Sequence, residues 1–223
     1  AKLHLPAPHT IHAVVYSHPH GDHFGGVRGL EADFADDVKI IAPEGFVAAL
    51  ADENMIAGNA MSRRTDYQYG TTLSQNARGQ VDMAIGLNKG TKGGLTLITP
   101  TLEIIDKVEK HTIDGLTFEF TNVPGAEAPV EILTWIEEYK TLFTGELTYH
   151  GMHNIYTFRG AKVRDSLAWT KYLTEIKIAY GDGIEALTSS HSAPVWDTEA
   201  INEYITLQRD NYGFIHNQSM RLA

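Results

Sequence analysis

The seven residues His18-Pro19-His20-Gly21-Asp22-His23-Phe24 limit what this chain can become more than any other stretch. They place three imidazoles and a carboxylate in six positions, directly after the apolar run Ala13-Val14-Val15-Tyr16. In extended backbone the side chains of His18 and His20 leave on the same side, so both can face one metal ion. Gly21 lets the chain turn, and Asp22 and His23 can then aim at a second ion beside the first. Mixed nitrogen and oxygen donors suit zinc ahead of manganese or iron.

At 223 residues the chain reads as one domain with enough length for a proper core. Its 43% hydrophobic and 21% charged content are ordinary for a soluble globular protein. A net charge of −10 disfavours a nucleic-acid partner, which needs Lys and Arg to neutralise phosphates. With no basic run and no long apolar segment, neither a membrane span nor a surface anchor is expected. There is no cysteine, which excludes disulfides, thiolate zinc sites and a Cys nucleophile. That absence suits oxidising and reducing surroundings alike; a secreted or periplasmic location is set ahead of a cytoplasmic one. Ala1-Lys2-Leu3-His4 lacks the charged-then-apolar pattern of a signal peptide.

Along the chain, Ala13 to Tyr16 reads as a buried strand, followed by the histidine loop and a short helix over Phe24 to Leu30. Val38 to Ile41 is a second apolar run, and Glu44 to Ile56 has helical spacing. From Gly58 to Gly94 the periodicity fails, which predicts a long functional loop. Strands are predicted at Leu95 to Ile98, Leu116 to Thr121, Val130 to Ile136, Thr141 to Thr144 and Ile184 to Thr188. Helices are predicted over Ala161 to Tyr180 and Asp197 to Arg209, the second with Asp197 as its N-cap. Strands and helices mix without an internal repeat, which fits a layered α/β architecture.

Further motifs narrow the reading. They are Asn59-Ala60-Met61-Ser62-Arg63-Arg64, Tyr67-Gln68-Tyr69-Gly70, Pro124-Gly125-Ala126-Glu127-Ala128-Pro129, Gly145-Glu146, His153-Asn154, Arg159-Gly160-Ala161 and Ser190-His191-Ser192-Ala193-Pro194. Together with the His-x-His-x-Asp-His loop, they resemble the alkylsulfatase branch of the metallo-β-lactamase superfamily over essentially the whole chain. The resemblance implies an αββα sandwich with a two-metal site along one edge. It implies two zinc ions per chain: His18, His20 and Glu127 on one, Asp22, His23 and His191 on the other, and Glu146 contacting or bridging both. Taken alone, Glu127 and Glu146 would pass for exposed loop carboxylates and His191 for a hydrogen-bonded structural residue.

The same resemblance implies hydrolysis of alkyl sulfate esters, such as dodecyl sulfate, to an alcohol and inorganic sulfate. Asp22 and Glu146 would position the attacking water, and Arg159 would take the sulfate in its planar fork. Asn154, Tyr69 and Tyr67 could donate further hydrogen bonds to that group. His150 and His153 are expected to orient a ligand from behind. Relatives in this branch have more chain on both sides, so residues 1–223 read as a catalytic core that begins about a dozen residues before its first strand. The early strands, a helical dimerisation region and a lipid-carrier-like domain would lie outside it, with a homodimer expected for the full-length protein. Two alternatives stand beside this reading. One is another hydrolase on the same fold, a thioesterase or lactonase; the other is a catalytically silent metal-binding fragment.

Overall fold

The structure is a computed structural model that describes residues 9–83, 86 and 94–223. Two sheets stack face to face, with helices on both outer sides. The first sheet has β1 (Ile11–Val15), β2 (Phe34–Pro43) and β3 (Leu102–Ile104), all parallel, in that order. Side chains alternate across a strand, and β2 uses both faces. Ile40 and Ala42 join Tyr16, Phe24 and Phe46 on one side, while Ile41 meets Ile104, Ile113, Phe120 and Ile132 between the sheets.

The second sheet runs β4 (Val108–Ile113), β5 (Leu116–Asn122), β6 (Ile132–Ile136), β7 (Thr141–Phe143), β8 (Ala186–Thr188) and β9 (Val195–Trp196). Its pairs are antiparallel except β7 with β8. The β4–β5 turn is Asp114-Gly115, both at positive φ (49° and 79°), the conformation that a two-residue hairpin loop requires.

On the outer side of the first sheet lies α1 (Phe46–Ala51), which runs into a π-helical turn over Asp52–Ile56 and then α2 (Gly58–Tyr69). The opposite outer side carries α3 (Ser166–Tyr180) and α4 (Thr198–Leu222). Trp169, Leu173 and Ile176 of α3 and Ile201, Ile205 and Tyr212 of α4 bury themselves against Leu133, Leu142 and Leu187. Trp169 stacks on Tyr212 with ring centroids 4.3 Å apart and donates Nε1–H to the Leu147 carbonyl at 2.6 Å. Truncating such a ring to Ala costs about 3–5 kcal/mol. That helix pair therefore anchors Leu147, one residue beyond Glu146. Among the described residues no helix is long and apolar enough to cross a membrane.

Several sequence expectations shift. The Phe24 to Leu30 helix is instead two 3-10 segments, Gly21–His23 and Val27–Asp33. The 44–56 helix begins at Phe46 and changes to π winding at Asp52. The predicted loop from Gly58 opens with a twelve-residue helix, α2, whose one buried residue is Met61. Residues 84–85 and 87–93 of that stretch lie outside the described residues. Leu95 to Ile98 forms no strand ladder. Leu97 and Ile98 pack beside Tyr16 and Phe24, and Thr96 N–H bonds the Gly25 carbonyl at 2.9 Å. The sheets recruit β3 and β4 in its place. α3 starts at Ser166 rather than Ala161, because Asp165 caps it by accepting from the amides of Leu167 and Ala168. α4 begins at its expected Asp197 cap and continues to Leu222.

Candidate metal centre

Four segments bring the candidate side chains to one edge of the sandwich. The backbone past β1 stays tied to β2, with Tyr16 N–H on the Ile41 carbonyl at 2.8 Å. His18 and His20 therefore leave the sheet in register, and both are buried. Glu127 sits in a turn closed by Gly125 N–H on the Ala128 carbonyl at 2.8 Å, with Gly125 at φ +82°. Glu146 follows β7 after Gly145, itself at φ +57°. His191 follows β8 and is held at φ +60°, a conformation that non-glycine residues adopt at a cost and that gathers at functional sites.

The donors fall into two groups, His18, His20, Glu127 and Glu146 in one and Asp22, His23 and His191 in the other. Within each, one donor atom per residue lies within 4.8 Å of every other. In the first group His18 Nε2 is 3.5 Å from Glu127 Oε2 and 3.2 Å from Glu146 Oε2, and His20 Nδ1 is 3.3 Å from Glu127 Oε2. In the second, Asp22 Oδ2 is 3.3 Å from His23 Nε2 and 3.0 Å from His191 Nε2. Glu146 Oε2 also stands 3.1 Å from His23 Nε2, so one oxygen reaches a donor of each group.

These separations fit ions. Two tetrahedral donors at about 2.0–2.1 Å from zinc stand about 3.4 Å apart. Two of the atoms, His18 Nε2 and Glu127 Oε2, are also buried without a hydrogen-bond partner, and both face the same space. Orphaned polar atoms of this kind are costly unless a cation or water completes them. The chemistry of the donor set, imidazole and carboxylate with no thiolate, suits zinc and similar divalent ions.

Charge is distributed to match. Burial holds His18 down to about 4, so its ring is a neutral donor at pH 7 despite Glu127 and Glu146 nearby. Burial opposes ionisation of Glu127 too, but His20 and His18 outweigh it and bring the carboxyl down to about 2. Burial likewise opposes the charge on Glu146, and contacts from His153, His18 and His23 overcome it, well below the usual carboxylate range. His23 is pushed up to about 10, since Asp22 and Glu146 outweigh its desolvation.

Behind the donors lies a layer that sequence reasoning located only in part. His153 Nε2 meets Glu146 Oε1 at 2.8 Å, the orienting contact expected of it. His150 lies elsewhere, exposed, with its ring 5.2 Å from that of Tyr204. Arg164 was missed. Its buried guanidinium donates Nε–H to the Glu127 carbonyl at 2.6 Å, bonds the Glu127 carboxylate through Nη2, and reaches His153 Nδ1 at 3.1 Å through Nη1. Glu131 was also missed. It is wholly buried and accepts the Glu146 N–H at 2.9 Å.

A cavity of about 620 Å³ opens over the two groups, lined by Arg159, Asn154, Tyr69, Asn59 and Ser62 among others. Arg159, Asn154 and Tyr69 thus come together with the candidate ligands. Tyr67 does not: it is 90% exposed and is not among the residues that line the cavity.

The fold and this edge site define the class, and the chain belongs to the metallo-β-lactamase superfamily, whose family model matches residues 5–191. Within it, the chain is 47% identical to a linear primary-alkylsulfatase of a Pseudomonas species, over 95% of this chain and 32% of that one. It is 44% identical to the alkyl/aryl-sulfatase BDS1 of Saccharomyces cerevisiae, over 95% of this chain and 33% of that protein. The solved structure of the stereoselective inverting sec-alkylsulfatase Pisa1 from Pseudomonas superposes with a TM-score of 0.91 at 38% identity, over 99% of this chain and 35% of the other. The chain spans about a third of the length of these relatives. The αββα sandwich and the alkylsulfatase likeness read from the motifs both hold.

Proposed function

We propose that this chain hydrolyses alkyl sulfate esters to an alcohol and inorganic sulfate at a pair of zinc ions. His18, His20 and Glu127 would hold one ion, Asp22, His23 and His191 the other, with Glu146 shared. The observation that carries the reading is the position of Glu146 Oε2, within 3.2 Å of a donor from each group on the floor of a cavity that also holds Arg159. The similarity to proteins named as alkylsulfatases supports the choice of substrate.

Bound zinc supplies a nucleophile from water near neutral pH and a positive field for an anionic substrate. The chain does the rest. Asp22 and Glu146 orient the attacking water through their carboxylate oxygens. His153 takes up the second oxygen of Glu146, so the carboxylate cannot rotate away from the water it aligns. Arg159 grips two sulfate oxygens at once, and Asn154 and Tyr69 donate to what remains. Attack at carbon would expel sulfate as a weakly basic anion, which asks little of a general acid. In the whole protein, a homodimer belongs to this reading.

The test is sulfate release from dodecyl sulfate by purified, zinc-loaded protein, with a thioester and a lactone assayed alongside. Turnover of the sulfate alone supports the proposal. Turnover of the thioester or lactone in its place, or of none of the three, overturns it.

A further inference from the structure

Glu131 belongs to neither group of candidate ligands, yet it lies directly behind His18 and Glu146 of the first. Its Oε1 accepts the backbone N–H of Glu146 at 2.9 Å. The same oxygen stands 3.9 Å from Nδ1 of His18, the ring nitrogen turned away from Glu127 and Glu146. Ser17 Oγ lies 3.1 Å from that nitrogen, and the Ser17 carbonyl accepts Ile132 N–H at 2.9 Å. The histidine loop and the entry to β6 are thus stitched together on either side of this carboxyl group.

Gly145 gives an independent sign. A Cβ there would come within 2.6 Å of Glu131 Oε1 and 3.2 Å of Ser17 Cβ. The residue before Glu146 is therefore bare where Glu131 presses against the backbone. Meanwhile Glu131 Oε2 is buried with no hydrogen-bond partner. A side chain chosen for packing alone would be apolar here, because a half-satisfied buried carboxyl is costly.

We propose that Glu131 is a positioning residue for the metal centre. One carboxyl group fixes the backbone of Glu146 and backs the ring of His18, so ligands that follow two different strands keep their spacing before an ion arrives. The inference rests on the two-metal reading above and deepens it. Removing a partner that orients a ligand from behind typically changes metal affinity by about 10–100-fold.

The experiment measures zinc affinity by competition with a chromophoric chelator, together with thermal unfolding, for the wild-type protein, Glu131→Met, Glu131→Gln and Glu131→Asp. Methionine has similar bulk and no strong acceptor, so its zinc affinity should fall about 10–100-fold. Glutamine keeps an acceptor for the Glu146 N–H and should stay within about threefold of wild type. A role in stability alone would lower the melting temperature and leave zinc affinity unmoved, and that result in folded Glu131→Met overturns the proposal. Should Glu131→Met fail to fold, Glu131→Asp decides, because the shorter side chain withdraws the acceptor from the Glu146 N–H: zinc affinity lowered about tenfold or more supports the proposal, and wild-type affinity overturns it. Wild-type protein that holds no zinc would overturn the metal reading and this inference together. Wild-type protein that holds two ions but leaves dodecyl sulfate intact would overturn the substrate reading alone.

Discussion

Arg164 grips Glu127 at two points, donating Nε–H to its backbone carbonyl at 2.6 Å and Nη2–H to its carboxylate. Both side chains are almost wholly buried, at 4% and 0% exposure. Taking one partner from a buried ion pair strands the other charge and costs about 3–5 kcal/mol. Arg164→Met should therefore lower unfolding stability by about that amount in urea titrations. Arg164→Lys should recover only part, since an ammonium cannot reach both oxygens in the same plane. Equal stability of the methionine variant and the wild type would mean that Glu127 finds its compensation elsewhere.

On the proposed function, substrate recognition would separate from metal chemistry at Arg159, which lines the cavity outside both donor groups. Losing a charge-assisted fork from a desolvated site should cost about 2–4 kcal/mol of transition-state stabilisation. Arg159→Ala should thus cut alkyl sulfate turnover by about 10²-fold or more, with zinc content unchanged by elemental analysis. Near wild-type turnover with both ions present would return the choice to a thioesterase or lactonase.

Zinc should raise stability as well as activity, because His18 Nε2 and Glu127 Oε2 are buried without partners. We expect about two ions per chain after purification without chelator. A ligand at a hundred times its dissociation constant adds about 2.7 kcal/mol per site. Chelation should accordingly lower the melting temperature, and zinc should restore it. A single tightly held ion per chain, or a melting point indifferent to chelator, would count against the shared position of Glu146.

The stability of the metal-free protein should fall as pH rises above 6.5 and vary less below it, where burial and Glu127 raise the Glu131 carboxyl while burial lowers His18, two opposing slopes. Above that point His23 matters most: its folded pKa is raised to about 10, so its contribution is complete below 6.5 and drains away towards 10. Below it, His18 works the other way. Its folded pKa is depressed to about 4, so stability present above 6.5 is lost as pH falls towards 4. Glu127, held down to about 2, extends that loss at still lower pH. Denaturant titrations of chelated protein between pH 4 and 10 would check this. A curve that rises steadily across the range would show that His23 is not paired as described.

The parts of this architecture that were legible in the sequence are those where chemistry or periodicity is local. The His18 to His23 loop announces itself within six residues, and the alternation in Leu116 to Thr121 marks a strand with one apolar face. α2 stayed hidden because Met61 is its one buried residue, so no apolar stripe marks it. β4 was missed because Glu109, Lys110 and His111 interrupt its apolar residues. Ala161 to Asp165 passed for the start of α3, but Arg164 N–H is bonded to the Ile155 carbonyl at 3.0 Å and its side chain is drawn towards Glu127. Arg164 and Glu131 act through partners distant in sequence, 37 residues away at Glu127 and 15 at Glu146. No spacing rule reaches that far.

The position of His191 bears on how the protein would come to hold two metal ions. His191 Nε2 meets His23 Nε2 at 3.3 Å across 168 residues of chain. A growing polypeptide presents the histidine loop before His191, and cannot complete the second group of donors until β8 has been made and has joined its sheet. Full occupancy by two ions would then work as a certificate of assembly, granted only to chains that have closed both layers.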